Sequence, residues 1–200
     1  MKTKSQYNYD EIITWIERRG IDLYGKKFKI IESDHQIIHK LIAYFLKDEQ
    51  KCLAYDIDLN KGIMLSGPVG CGKTSLMNLM KHLTPSAQKF SVKPCRDISF
   101  EFIKEGYEII HKYSKTTPKT ICFDDLGTEN NLKYFGNECN VMAEILLSRY
   151  DLFTSRKLQT HITTNLSASE IEEAYGNRVR SRLRSTLNLI AFDKETKDKR

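Results

Sequence analysis

No apolar run in these 200 residues approaches the ~18 a membrane span needs, so no spanning segment is expected. No secretory leader is expected either, because Met1-Lys2-Thr3-Lys4-Ser5-Gln6 leads into polar residues, not an apolar h-region. The five cysteines (Cys52, Cys71, Cys95, Cys122, Cys139) form no C-x-x-C pair. That argues against a zinc site and against a disulfide framework. Free thiols fit a reducing, cytoplasmic setting. Repeats and low-complexity tracts are also lacking. What remains is an ordinary apolar share of 40%, enough for one packed domain, with or without a small appendage. The net charge of +6 is uneven. Residues 1–60 balance acids against bases, so the whole excess lies in residues 61–200. A basic excess of this size is compatible with nucleic acid and nearly as well with a generally basic soluble protein.

Glycine is sparse but concentrated at one place. Gly67-Pro68-Val69-Gly70-Cys71-Gly72-Lys73-Thr74 fits the phosphate-loop pattern G-x-x-x-x-G-K-[ST]. Ile63-Met64-Leu65 before it reads as a buried strand, and Ser75 to Lys81 after it as a helix. Such a loop points backbone N–H groups inward, and the helix beginning near Lys73 adds its positive dipole end. The phosphate-binding set is therefore Gly67, Pro68, Val69, Gly70, Cys71, Gly72, Lys73, Thr74 and Ser75. Lys73 is expected to reach the β- and γ-phosphates of ATP, and Thr74 to offer its hydroxyl to Mg²⁺. Lys73 reads as an exposed loop lysine with little packing. The plain alternative is a glycine-rich turn closed by a surface lysine.

Elsewhere, Asp10 to Arg19 reads as a short amphipathic helix ended by Gly20. Ser33-Asp34 caps a longer helix carrying Ile37, Ile38, Leu41, Ile42, Phe45 and Leu46 at helical spacing. Tyr55 to Lys61 leads into the first core strand. Lys89 to Val92 is a short strand, Ile98 to Tyr113 a helix, and Lys115 to Lys119 a loop. Thr120-Ile121-Cys122-Phe123 is a strand. Asn140 to Tyr150 is a helix, Leu158 to Thr164 a strand, Ala168 to Tyr175 a helix, and Leu187 to Phe192 a last strand. Residues 193–200 read as a frayed charged end. Alternating strands and helices imply an α/β fold with a parallel sheet sandwiched by helices. Ligands then bind at the carboxyl ends of the strands.

Two acids, Asp124-Asp125, close the Ile121–Phe123 strand. The first suits Mg²⁺ coordination. The second suits orientation and deprotonation of an attacking water. The alternative is a solvated loop start. Asn165, at the end of the next strand, can touch the γ-phosphate and the water, or serve merely as a turn residue. Arg178-Val179-Arg180-Ser181-Arg182-Leu183-Arg184 has three readings. It is an exposed basic face, a strip contacting phosphate backbone, or the source of an arginine finger for a neighbouring subunit.

The order of phosphate loop, Asp-Asp, strand-terminal Asn and an S-R-L arginine box resembles the AAA+ ATPases. In detail it resembles their DnaC/IstB-like branch, the bacterial helicase loaders and transposition ATPases. Asp124-Asp125-Leu126-Gly127-Thr128-Glu129 is similar to that branch's extended Walker B segment. Ser148-Arg149-Tyr150 is similar to its "R-Y" helix end, and Tyr175 to Leu183 to its arginine box. The resemblance spans residues 60–192. It implies a P-loop NTPase core without a C-terminal lid domain, for which the chain leaves no room, and it makes Arg182 the finger with Arg178 beside it. Residues 1–52 then form an N-terminal helical segment, 53–193 the ATPase domain and 194–200 the tail. The expected catalytic set is Asp125, Asn165 and Arg182, with Thr74 and Asp124 on the metal. Expected partners are further copies of the chain in an oligomer or ring, a replicative helicase or a transposase, and single-stranded or non-specific DNA. A P-loop small-molecule kinase is one rival, though no arginine-bearing lid or acceptor pocket is evident. A nucleotide-dependent switch with little turnover is the other.

Overall fold

The computed structural model describes residues 7–114, 119–129, 132–134 and 137–199. Its chain order is α1 (Tyr9–Tyr24), α2 (His35–Leu46), α3 (Glu49–Ala54), β1 (Gly62–Ser66), α4 (Lys73–Leu83), β2 (Ser91–Pro94), α5 (Cys95–Glu105), α6 (Glu108–Ser114), β3 (Ile121–Leu126), β4 (Leu132–Tyr134), β5 (Asn137–Cys139), α7 (Val141–Arg156), β6 (Thr160–Thr164), α8 (Ala168–Tyr175), α9 (Asn177–Thr186) and β7 (Leu187–Ala191). Five strands form one parallel sheet in the order β2-β3-β6-β1-β7. β4 and β5 pair separately as an antiparallel hairpin, which sequence reading did not anticipate.

Side chains alternate across a strand, so each strand feeds two cores. Ile63, Leu65, Cys122 and Ile190 face α1, α2 and α4. Met64, Ile121, Phe123, Ile162 and Leu187 face α5, α6, α7 and α9. The sheet is thus sandwiched by helices, as expected. The N-terminal helices share the first core with β1 and α4.

Several local expectations are corrected. α1 does not stop at Gly20. It runs to Tyr24, because the Phe28 ring lies where a side chain at position 20 would sit, a contact distant in sequence. The helix from Ile98 is two helices, starting at Cys95 and broken at Gly106, whose φ is +63°. Asp34 stands at the start of α2 but does not cap it; its Oδ2 accepts the Ile31 N–H of the turn before, at 3.5 Å. The same carboxylate also pairs with the Lys199 ammonium. The loop read at 115–119 lies, but for Lys119, outside the described residues.

Two buried polar groups hold the layers together. Arg149 on α7 is 2% exposed. It donates to the Thr160 hydroxyl (2.7 Å) and to the carbonyls of Tyr113, Lys119 and Gln159 (3.2, 3.1 and 3.0 Å). One guanidinium therefore ties α7 to the end of α6 and to the starts of β3 and β6. Burial lowers its pKa to about 10, and it stays charged. Each carbonyl it leaves unpaired would cost about 1–3 kcal/mol.

His161 on β6 is enclosed by Tyr44, Phe45 and Phe90, and its Nδ1 accepts the Ile63 N–H at 3.0 Å. Burial lowers its pKa to about 3 from 6.5, with the charges of Lys47 and Arg149 adding to the effect. The folded protein therefore holds His161 neutral where the unfolded chain protonates it. Stability should be fully present above pH ~6.5 and fall as pH drops toward 3. By pH ~4.5 this group alone should remove about 2–3 kcal/mol. Asn in its place keeps an acceptor but cannot titrate. Urea unfolding of the wild type and His161→Asn from pH 7 to pH 5 should show the wild type losing more stability. Parallel curves would refute the assignment.

Candidate nucleotide site

The carboxyl ends of β1, β3 and β6 meet at one edge of the sheet, and the loop after β1 crosses it. Gly70 and Gly72 take φ of +78° and +99°, which a side chain would strain. Those turns let residues 67–72 curl onto the start of α4. Lys73 is not an exposed loop lysine. It is 5% exposed, and its Nζ donates to the carbonyls of Gly67 and Pro68, both at 2.9 Å. The ammonium thus holds the loop's curl from inside. Cys71 Sγ lies 4.0 Å from it, and burial pushes that thiol's pKa up, which makes it a poor nucleophile.

β3 brings both acids to the same place by a local irregularity. In a regular strand, successive side chains face opposite ways. Here Phe123 pairs with Ile162 and Leu126 with Thr164, so Asp124 and Asp125 together oppose Thr163 alone. This is a β-bulge, and it re-aims a side chain. Asp125 takes φ +54°, a left-handed conformation that Asp tolerates better than most residues. Thr163 fixes the arrangement. Its hydroxyl donates to Asp124 Oδ1 at 2.6 Å and accepts the Asp125 N–H at 2.8 Å. The Thr74 hydroxyl reaches the same Asp124 Oδ1 at 3.0 Å. Burial raises the Asp124 pKa, and the neighbouring Asp125 charge adds to this. The hydrogen bonds from Thr163 and Thr74 and the Lys73 charge oppose it. A divalent cation would relieve that cost. A hydroxyl and a carboxylate oxygen are the hard donors Mg²⁺ takes when phosphates and water complete its shell.

Val69, Gly70, Gly72, Lys73, Thr74, Ser75, Asp125, Thr128 and Asn165 wall a cleft of about 260 Å³. Asn165, just past β6, therefore meets the phosphate loop and Asp125. Glu129 is otherwise engaged, accepting from Gly127 N–H at 3.0 Å and from the Tyr175 hydroxyl. Gly70, Gly72 and Ser75 also wall a second cavity of about 450 Å³, completed by Tyr24, Phe28 and Ile31 and by Lys27, Lys29 and Lys199. Tyr24 and Phe28 stack at 5.6 Å. A space with two aromatic walls and a rim of lysines, adjoining a phosphate loop, has the chemistry to take a nucleobase. Sequence reading missed it because these walls come from the end of α1 and the stretch after it, some forty residues before the loop. It missed Thr163 because a threonine on a β-branched strand carries no local signal.

Arg182 is not among the residues walling either cavity. α9 is a helix, so alternate arginines cannot line one edge. Arg178 and Arg182 share a face, Val179 and Leu183 are buried, and Arg180 pairs with Glu172 at 2.5 Å. The Arg182 guanidinium rests 4.5 Å from the centre of the Tyr150 ring. Residues 193–199 are not frayed: they return to the phosphate loop, where Lys199 N–H donates to the Gly70 carbonyl at 3.1 Å.

No protein-family model matches the chain, and no curated protein matches it by sequence. Solved structures do match. The DnaC helicase loader aligns over 90% of this chain and 99% of its own, at 17% identity and TM-score 0.59. A candidate primosome component from Streptococcus pyogenes serotype M3 aligns over 84% and 83%, at 19% identity and TM-score 0.59. DnaI aligns over 82% and 87%, at 19% and 0.54. AMPPCP-bound DnaA from Aquifex aeolicus aligns over 83% of this chain and 48% of its own, at 17% and 0.53. The chain therefore has the AAA+ P-loop fold of the DnaC and DnaI structures.

Proposed function

We propose that this chain is an ATP-binding, ATP-hydrolysing AAA+ module that remodels nucleoprotein, in replicative helicase loading or in assistance to a transposase. The observation that carries the reading is the meeting of Thr74 and Thr163 on the Asp124 carboxylate, beside a lysine-anchored phosphate loop. A structural turn needs no buried acid aimed at it. In this reading Lys73 leaves its loop carbonyls for the β- and γ-phosphates, Thr74 and Asp124 hold Mg²⁺, and Asp125 and Asn165 position water. Arg182 serves the next subunit of an oligomer. Helicase loading is favoured by the fold shared with DnaC and DnaI, and nucleotide binding by the likeness to AMPPCP-bound DnaA. DNA contact is the least supported part and rests on the basic excess of residues 61–200.

Calorimetric titration should find Mg-ATP binding to the full chain. Lys73→Met keeps the buried stem but removes the ammonium, so it should weaken binding at least ~10-fold, a loss of about 1.4 kcal/mol. Circular dichroism should confirm that the variant is folded. Equal affinities would sink the phosphate-loop reading. Phosphate release without an added acceptor would disfavour the kinase alternative, and binding without release would favour the switch. Recovery of a replicative helicase or of a transposase with the tagged chain would separate the two partner readings.

A further inference from the structure

Beyond β7 the chain turns at Asp193, where the Thr196 N–H meets the Asp193 carbonyl at 3.1 Å, and comes back across the phosphate loop. Three contacts seat it. The Lys199 N–H donates to the Gly70 carbonyl at 3.1 Å. The Asp198 carboxylate packs on Gly70 so closely that a Cβ there would lie 2.1 Å from its Oδ1. The Lys199 ammonium reaches the buried Asp34 carboxylate, 2.7 Å from Oδ1 and 2.6 Å from Oδ2, and lies 5.2 Å from the Phe192 ring centre. The segment therefore sets the Asp198 carboxylate against the loop, while its cation is paired with Asp34.

We propose that residues 193–199 form an autoinhibitory strap that competes with nucleotide for the phosphate loop. This rests on the nucleotide-binding reading above. Polyphosphate needs the same loop, and Asp198 places like charge at its rim, where short-range repulsion is strongest. The Lys199–Asp34 pair is the latch. Asp34 is buried, so salt screens the pair less than an exposed one. Nucleotide binds the fraction of molecules in which the strap has lifted, and its apparent affinity is reduced by that fraction. The coupling is reciprocal: bound nucleotide keeps the strap open and frees residues 197–199 for solvent or a partner.

Mg-ATP affinity of the full chain, Asp198→Asn and Lys199→Gln, measured by calorimetry, tests this. Both variants should bind more tightly, by fivefold or more, within the ~5–150-fold range of coupled sites. Amide exchange in residues 193–199 of the wild type should quicken when Mg-ATP is added. Lys199→Gln leaves Asp34 without its cation and could loosen the turn before α2. Asp198→Asn keeps the side chain's size, removes its charge and leaves the Lys199–Asp34 latch in place, so it carries the test alone if that happens. Equal or weaker binding by Asp198→Asn, or strap exchange unmoved by nucleotide, would overturn the strap while leaving the phosphate-loop reading intact. If neither wild type nor variants bind Mg-ATP, the nucleotide reading falls and the competition falls with it.

Discussion

Arg182→Ala should bind Mg-ATP as the wild type does and lose turnover by about 10³–10⁵, the range measured for arginine fingers. Lys73 is the lysine walling the phosphate cleft, and no arginine walls it among the described residues. Among the described residues, none of those walling the cleft offers a planar, bidentate cation to charge developing on a γ-phosphate there. Arg182 is free for that task. It is half-buried on α9, stacked on Tyr150 and outside the Arg180–Glu172 pair. Its removal takes little from the fold, because Val179 and Leu183 do the burying on that helix. Arg182→Lys should recover only part of the rate, since a lysine keeps the charge but not the fork. Mixing decides the matter. Arg182→Ala subunits retain Asp125, and Asp125→Asn subunits retain Arg182, so mixed assemblies contain complete interfaces and should regain part of the activity. Mutants that co-assemble without any recovery would move Arg182 to a DNA or structural role.

How much of this was legible depended on the range of each interaction. The phosphate loop, its strand and its helix were readable because glycine spacing and flanking hydrophobicity are local signals. The bounds of α8 were readable too: Ser167 and Glu170 form a capping box within four residues. Where distant groups decide, the reading failed. Gly20 looks like a helix end until Phe28 is brought against it. The bulge that turns both acids toward the loop depends on Thr163, from a strand some forty residues later. Asp193 to Lys199 has the composition of a solvated tail, and only the buried Asp34 gives it a place to dock. Arg149, noted in the sequence as part of an "R-Y" pair, is a structural anchor, and Tyr150 beside it is the seat of Arg182.

Asp125→Asn should keep Mg-ATP bound and slow its cleavage by 10²–10⁴, the usual loss for one positioned acid or base. The substitution is unusually clean here. Asp125 sits at φ +54°, which asparagine also tolerates, and the contacts that hold its backbone, from Thr163 and Thr128, are main-chain bonds the variant retains. A rate loss would therefore report lost chemistry, not a lost bulge. Asp124→Asn should behave differently. That carboxylate accepts from both Thr74 and Thr163, so its loss should weaken Mg²⁺-dependent binding before it affects the chemical step. Single-turnover hydrolysis at saturating Mg-ATP, beside calorimetric affinities, separates the two outcomes. A wild-type single-turnover rate in Asp125→Asn would mean the base lies elsewhere. Glu129 would be next in reach, but its carboxylate is held by the Gly127 N–H and the Tyr175 hydroxyl. To act, it would first have to break both bonds, and Tyr175→Phe should then speed hydrolysis by releasing it.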